Sequence, residues 1–156
     1  MQLSAGMDAP QFHLPDADME TFNLAAQRGK KNIVLYFYPK DDTPGCTLEA
    51  QQFTALATQF ANADTVVLGV SKDDCSSHQA FIKKYALSVI LLADTSGELC
   101  EKFGVWQEKI KNGEKKMGIV RSTFIIDKTG ILRGVEYSVN ADGHAQQVLA
   151  RVQTLK

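Results

Sequence analysis

The densest chemical signal in the chain is the stretch Pro39-Lys40-Asp41-Asp42-Thr43-Pro44-Gly45-Cys46. Before it runs Asn32-Ile33-Val34-Leu35-Tyr36-Phe37-Tyr38, and after it Phe53, Leu56, Ala57 and Phe60 recur at i, i+3, i+4 and i+7. The pattern predicts a strand buried on both faces, a turn-rich loop and a helix whose first turn carries Cys46. At such a helix start the unpaired backbone N–H groups and the positive end of the dipole favour an anion. Helix N-termini and nearby cations lower thiol pKa values from about 8.5 to about 3.5–7.5, and the thiolate is the nucleophile. Thr43 offers a hydroxyl that can bond the sulfur or a bound oxygen, and it can also cap the helix. Pro39 can wall one side of the pocket, while Pro44 and Gly45 turn backbone donors toward one point. Glu49, on the same first turn, suits the dipole. Set against this chemistry are plainer readings: Cys46 as a small buried residue, and Glu49 as a solvated helix residue.

The elements that must position these groups follow from periodicity. Thr65 to Val70 reads as a second buried strand. Asp73 or Asp74 caps a second helix with the stripe His78, Phe81, Ile82 and Tyr85. Val89 to Leu92 is strand-like, and Leu99 to Phe103 is a short helix stopped by Gly104. Gln107 to Gly118, polar and basic, reads as a loop. Thr123 to Ile126 and Ile131 to Val135 form a hairpin about Asp127-Lys128-Thr129-Gly130. A last helix runs from about Gly143 to Leu155, with Val148, Leu149, Val152 and Leu155 inward. Two of the four prolines sit in Asp8 to Pro15, an extended lead-in with Thr21 to Leu24 as its short partner. The order implies an α/β protein with a mixed central β-sheet flanked by helices, the thioredoxin-like arrangement.

The 156 residues, 44% hydrophobic and 22% charged, read as one soluble domain spanning 1–156. A net charge of −1 gives no field for nucleic acid or an anionic membrane. No apolar run reaches membrane-spanning length and no signal peptide is visible, so a cytoplasmic location is expected. Three cysteines without framework spacing argue against structural disulfides. His13, His78 and His144 are scattered, so no metal site or other cofactor is expected.

The segment Pro39 to Glu49 resembles the Pro-x-x-x-Thr-x-x-Cys motif of peroxiredoxins. Phe37-Tyr38-Pro39 and the Thr-Pro-Gly-Cys-Thr run are similar to the bacterioferritin comigratory protein, or PrxQ-type, subfamily. Gly69-Val70-Ser71, Leu99 to Trp106 and Arg121 to Asp127 extend the likeness from about Met7 to the last helix. The resemblance implies that Cys46 is the peroxidatic cysteine, Thr43 its hydroxyl partner, Pro39 the shield and Arg121 the cation arriving from the later hairpin, with Glu49 supporting them. It implies an antioxidant thiol peroxidase, a monomer, that reduces hydrogen peroxide and organic hydroperoxides through a cysteine sulfenic acid and is recycled by thioredoxin or another thiol reductant. The alternative is a peroxide sensor that passes oxidation to a partner protein.

Relatives carry a resolving cysteine at the positions of Gln51 or Ile82, and both are absent here. Cys75, at the start of the second helix and on its inward stripe, is either a core thiol or a displaced resolving cysteine that must unfold locally to reach Cys46. Cys100 reads as core. The basic stretch Lys109, Lys111, Lys115 and Lys116 reads as a solvated face, and Trp106 as its anchor. A disulfide oxidoreductase lacks support, because there is no Cys-x-x-Cys.

Overall fold

The computed structural model describes residues 2–155. Strand β1 (His13–Pro15) pairs with β2 (Thr21–Asn23) as the expected lead-in. The buried run becomes β3 (Asn32–Phe37), with every residue buried. Helices α1 (Pro44–Ala55) and α2 (Ala57–Asn62) follow, then β4 (Thr65–Ser71), α3 (Cys75–Tyr85), β5 (Ile90–Ala93) and α4 (Glu98–Lys102). The chain closes with β6 (Trp106–Lys111), β7 (Glu114–Ile119), β8 (Ser122–Ile126), β9 (Leu132–Glu136) and α5 (His144–Val152).

Five strands form the central sheet in the order β5-β4-β3-β8-β9. β3, β4 and β5 are parallel, while β8 runs antiparallel to β3 and β9 antiparallel to β8. This is the mixed sheet expected from strands that alternate with helices and then end in a hairpin. Alternation along β3 divides the core in two. Ile33, Leu35 and Phe37 pack with Phe103 and Phe124 on one face. Val34, Tyr36 and Tyr38 meet α1, α3 and α5 on the other, through Phe53, Phe81 and Val148. Among the described residues, no helix is long and apolar enough to cross a membrane.

Two readings need correction. Gln107 to Gly118 is not a loop but the β6–β7 hairpin, turned at Asn112-Gly113, where φ is +53° and +79°. Asn-Gly is the pair that a two-residue hairpin turn prefers. Its strands carry almost no buried residues, so the usual apolar alternation was absent. The helix after Cys46 is also not continuous. It breaks at Leu56, whose N–H turns back to the carbonyls of Phe53 and Thr54, and α2 then carries Phe60 into the core.

Candidate active site

β3 delivers the chain to the site. Pro39 cannot donate to a ladder and ends the strand. Asp42 then takes a left-handed conformation, φ +58°, which aspartate tolerates better than most residues. Its carboxylate accepts from the Tyr85 hydroxyl at 2.6 Å and from Lys84 Nζ at 2.8 Å, so the end of α3 holds this corner. Pro44 occupies the first turn of α1, where a missing N–H costs nothing. Cys46 follows on that turn, 2% exposed.

Arg121 reaches Cys46 from the start of β8. Register sets Phe37 opposite Ser122, so Arg121 lies beside the end of β3 from which the Cys46 loop departs. Its guanidinium forks: Nη2 donates to Cys46 Sγ at 3.4 Å and Nη1 to Glu49 Oε1 at 2.6 Å. Gly45 makes this approach possible, since a Cβ there would stand 3.1 Å from Nη2. Glu49 is therefore not a solvated helix residue. Its side chain is 0% exposed, and burial pushes its pKa up to about 7 despite the opposing pull of Arg121. Burial alone would lower the Arg121 pKa, but the charges of Glu49 and Cys46 more than offset it and hold the guanidinium charged.

Thr43 stands at the N-cap position, yet its side chain makes no cap bond; the hydroxyl donates instead to the Lys40 carbonyl at 2.9 Å. Pro39 is exposed at the lip of the loop. Cys75 opens α3 half-buried, rather than fully inside the core stripe. Asp74 caps that helix, accepting from the Ser77 N–H at 2.8 Å. Cys100 is fully buried, and burial together with Asp94 raises its pKa well above the ordinary thiol range. That suits a core thiol rather than a nucleophile.

Sequence reasoning missed two supports. His78, which the sequence places only on the stripe of its helix, is 0% exposed: Nδ1 lies 2.7 Å from Asp41 Oδ2 and Nε2 2.9 Å from the Leu92 carbonyl. Asp41 also accepts from the Tyr38 hydroxyl at 2.5 Å and from Ser77 Oγ at 2.8 Å, and its N–H donates to Asp73 at 2.8 Å. This network ties the Cys46 loop to α3. Lys109, on the unrecognised hairpin, lays its stem over Gly118 and donates from Nζ to the Ile119 carbonyl at 2.8 Å. Burial and then the neighbouring Arg121 charge lower its pKa. The Asn112-Gly113 turn was the available signal for it. A cleft of about 510 Å³ lined by Asp8, Arg28, Lys31 and Ile33 opens at the other end of β3, away from the thiol.

A disulfide oxidoreductase built on Cys46 would need a second thiol three residues away, at position 43 or 49. Those positions are threonine and glutamate, and a guanidinium engages the sulfur instead, which is how a peroxiredoxin, a thioredoxin-fold thiol peroxidase, is built. A model of the AhpC/TSA family matches residues 5–135, and the chain belongs to that family. It is 45% identical over 152 residues to a protein of Coxiella burnetii named as a putative peroxiredoxin bcp, covering 97% of this chain and all of that one. Peroxiredoxin Bcp of Bacillus subtilis is 44% identical over 156 residues, covering 100% and 97%. Among solved structures, a cysteine-to-serine mutant of Xylella fastidiosa PrxQ superimposes with a TM-score of 0.92 at 32% identity, covering 98% of this chain and 97% of that one. The bacterioferritin comigratory protein of Xanthomonas campestris, solved as trapped intermediate and ligand complexes to study its alkyl peroxide reduction activity, gives 0.89 at 35% identity, covering 96% and 98%. The resemblance to the PrxQ branch and the thioredoxin-like fold are thereby borne out.

Proposed function

We propose that residues 1–156 act as a single peroxidase domain in which Cys46 reduces hydrogen peroxide and organic hydroperoxides, serving antioxidant defence as a cytoplasmic monomer. The observation that carries this is the fork of Arg121, with one arm on Cys46 Sγ and the other on the buried Glu49. The thiolate attacks the nearer peroxide oxygen. An S–O bond forms as the O–O bond breaks, the leaving hydroxide or alkoxide takes up a proton, and Cys46 becomes a sulfenic acid. Charge moves from sulfur to the leaving oxygen, so donors set along that line stabilise the transition state more than the ground state. Arg121 is one such donor. The Thr43 hydroxyl is a second, turning from the exposed Lys40 carbonyl onto the peroxide. Pro39 shields the rim.

An external thiol, thioredoxin or another reductant, then attacks the sulfenic sulfur and expels water, and a further thiol releases Cys46. The cycle uses one cysteine. Cys75 is the candidate for an internal resolving role, but melting the first turn of α3 would break both the Asp74 cap and the Ser77–Asp41 bond. The deciding experiment is intact-mass analysis after one equivalent of peroxide. A gain of one oxygen on Cys46 is expected. A loss of two hydrogens would establish an internal disulfide, and no change of mass would remove the peroxidase assignment.

A further inference from the structure

Among the described residues, two buried side-chain polar atoms have no hydrogen-bond partner, the Tyr36 hydroxyl and Oε2 of Glu49. Both belong to the wall behind Cys46. α1 buries Cys46, Glu49, Ala50 and Phe53 along one face, and that face packs against Val34 and Tyr36 of β3 and Tyr38 just beyond it. The Tyr36 ring is clamped. It stacks on Phe53 with centroids 4.7 Å apart and planes at 17°, and a Cβ at Gly69 would come within 2.8 Å of its hydroxyl. Glycine at 69 therefore leaves the space that the tyrosine oxygen fills. Burial first, and then the Glu49 charge, push the Tyr36 pKa well above its ordinary value, so the hydroxyl remains a donor.

An orphaned donor and an orphaned acceptor in one buried cluster are each expensive unless a shared water satisfies both. We propose that Tyr36 is a positioning residue for Glu49: its hydroxyl donates across one bridging water to Oε2 and favours the charged carboxylate, with Oε1 on Arg121. The inference rests on the reading of Cys46 and Arg121 given above. The oxygen of Tyr36 acts through Glu49 on the aim of Arg121 and touches no reacting atom. The other charged or titratable groups around this cluster are Tyr38 just past β3, whose hydroxyl donates to Asp41, Arg121 at the start of β8, Cys46 on α1, Asp41 in the loop after β3, Lys109 on β6 and His144 at the start of α5. None of them offers a donor to Oε2.

The test is Tyr36→Phe, which deletes one oxygen and keeps the ring. Carboxyl ¹³C NMR of glutamate-labelled protein follows the Glu49 titration directly, and Glu49→Gln identifies its signal. Losing a hydrogen bond to the charged form should move the Glu49 midpoint up by about one pH unit. The break in the pH profile of the peroxide rate should move with it, and Tyr36→Phe should shift no break in a Glu49→Gln background. An unmoved midpoint, or a rate lowered equally at every pH, overturns the proposal. Should Tyr36→Phe fold poorly, the wild type suffices: the Tyr36 Cζ resonance must follow the Glu49 titration, and a resonance that ignores it overturns the link. A midpoint that moves in an enzyme consuming no peroxide would instead overturn the peroxidase reading and leave the Tyr36–Glu49 link standing.

Discussion

Replacing Glu49 by glutamine should change how stability depends on pH, and the structure sets both the sign and the size. The Glu49 side chain is 0% exposed and its pKa is raised from 4.5 to about 7, burial outweighing Arg121. Between those two values the unfolded chain has lost this proton and the folded protein retains it. Stability therefore falls as pH rises through the window, by about 1.4 kcal/mol per unit and about 3 kcal/mol in all. Glutamine has nearly the same shape and still offers Arg121 Nη1 an oxygen, but it cannot ionise. Urea unfolding of both proteins at pH 5, 6, 7 and 8, at one ionic strength, gives the difference directly. Below the window the two should be close; above it the variant should have gained about 3 kcal/mol on the wild type. His144, whose pKa burial lowers, contributes in the opposite direction, but it is common to both proteins and cancels. A difference that stays flat with pH, or a wild type that gains on the variant as pH rises, would refute the reasoning, the latter by showing that attraction to Arg121 exceeds the cost of burial.

Other expectations concern the chemistry. Cys46→Ser should abolish peroxide consumption and Cys100→Ser should barely alter it; stopped-flow rates with hydrogen peroxide compare them, and substantial activity in Cys46→Ser would end the assignment. Arg121→Ala should slow oxidation by roughly 10²–10³-fold, the usual loss for removing a preset donor to developing charge. That loss should persist at pH values where any thiol is ionised, and a rate restored there would confine Arg121 to the protonation equilibrium. Cys75→Ser should leave turnover near wild type with a given reductant. Loss of thioredoxin-dependent turnover, with rapid overoxidation to sulfinic acid, would make Cys75 the resolving residue instead. On the hairpin, Gly113→Val forces a β-branched residue into φ +79° and should loosen β6–β7, read as faster amide exchange at Lys109 and Ile119 with the central sheet unaffected.

The chain itself determined whatever depends on near neighbours. A continuous apolar run becomes β3 because only a strand covered on both faces buries every residue, and Pro39 must end it. Pro44 at a first helical turn and the apolar recurrence through Phe53 place Cys46 at a helix start without reference to the rest of the molecule. The Asp74 cap is equally local. Asn112-Gly113 was as legible, and it was passed over because solvent covers both faces of its strands and leaves no alternation to read. Tertiary structure decided whatever joins distant segments. Arg121 and Cys46 are 75 residues apart, and without the family likeness that arginine reads as one more strand-end cation; the antiparallel register of β8 on β3 brings it to the sulfur. Whether Glu49 faced water or protein depended on which strand α1 would cover, so its burial, its ion pair and its raised pKa lay beyond the sequence. The same is true of His78 with Asp41, and of the buried Tyr36 hydroxyl left without a partner. Periodicity names the face of an element that turns inward, while the groups met there, and the charges they must hold in a dry interior, are set by packing.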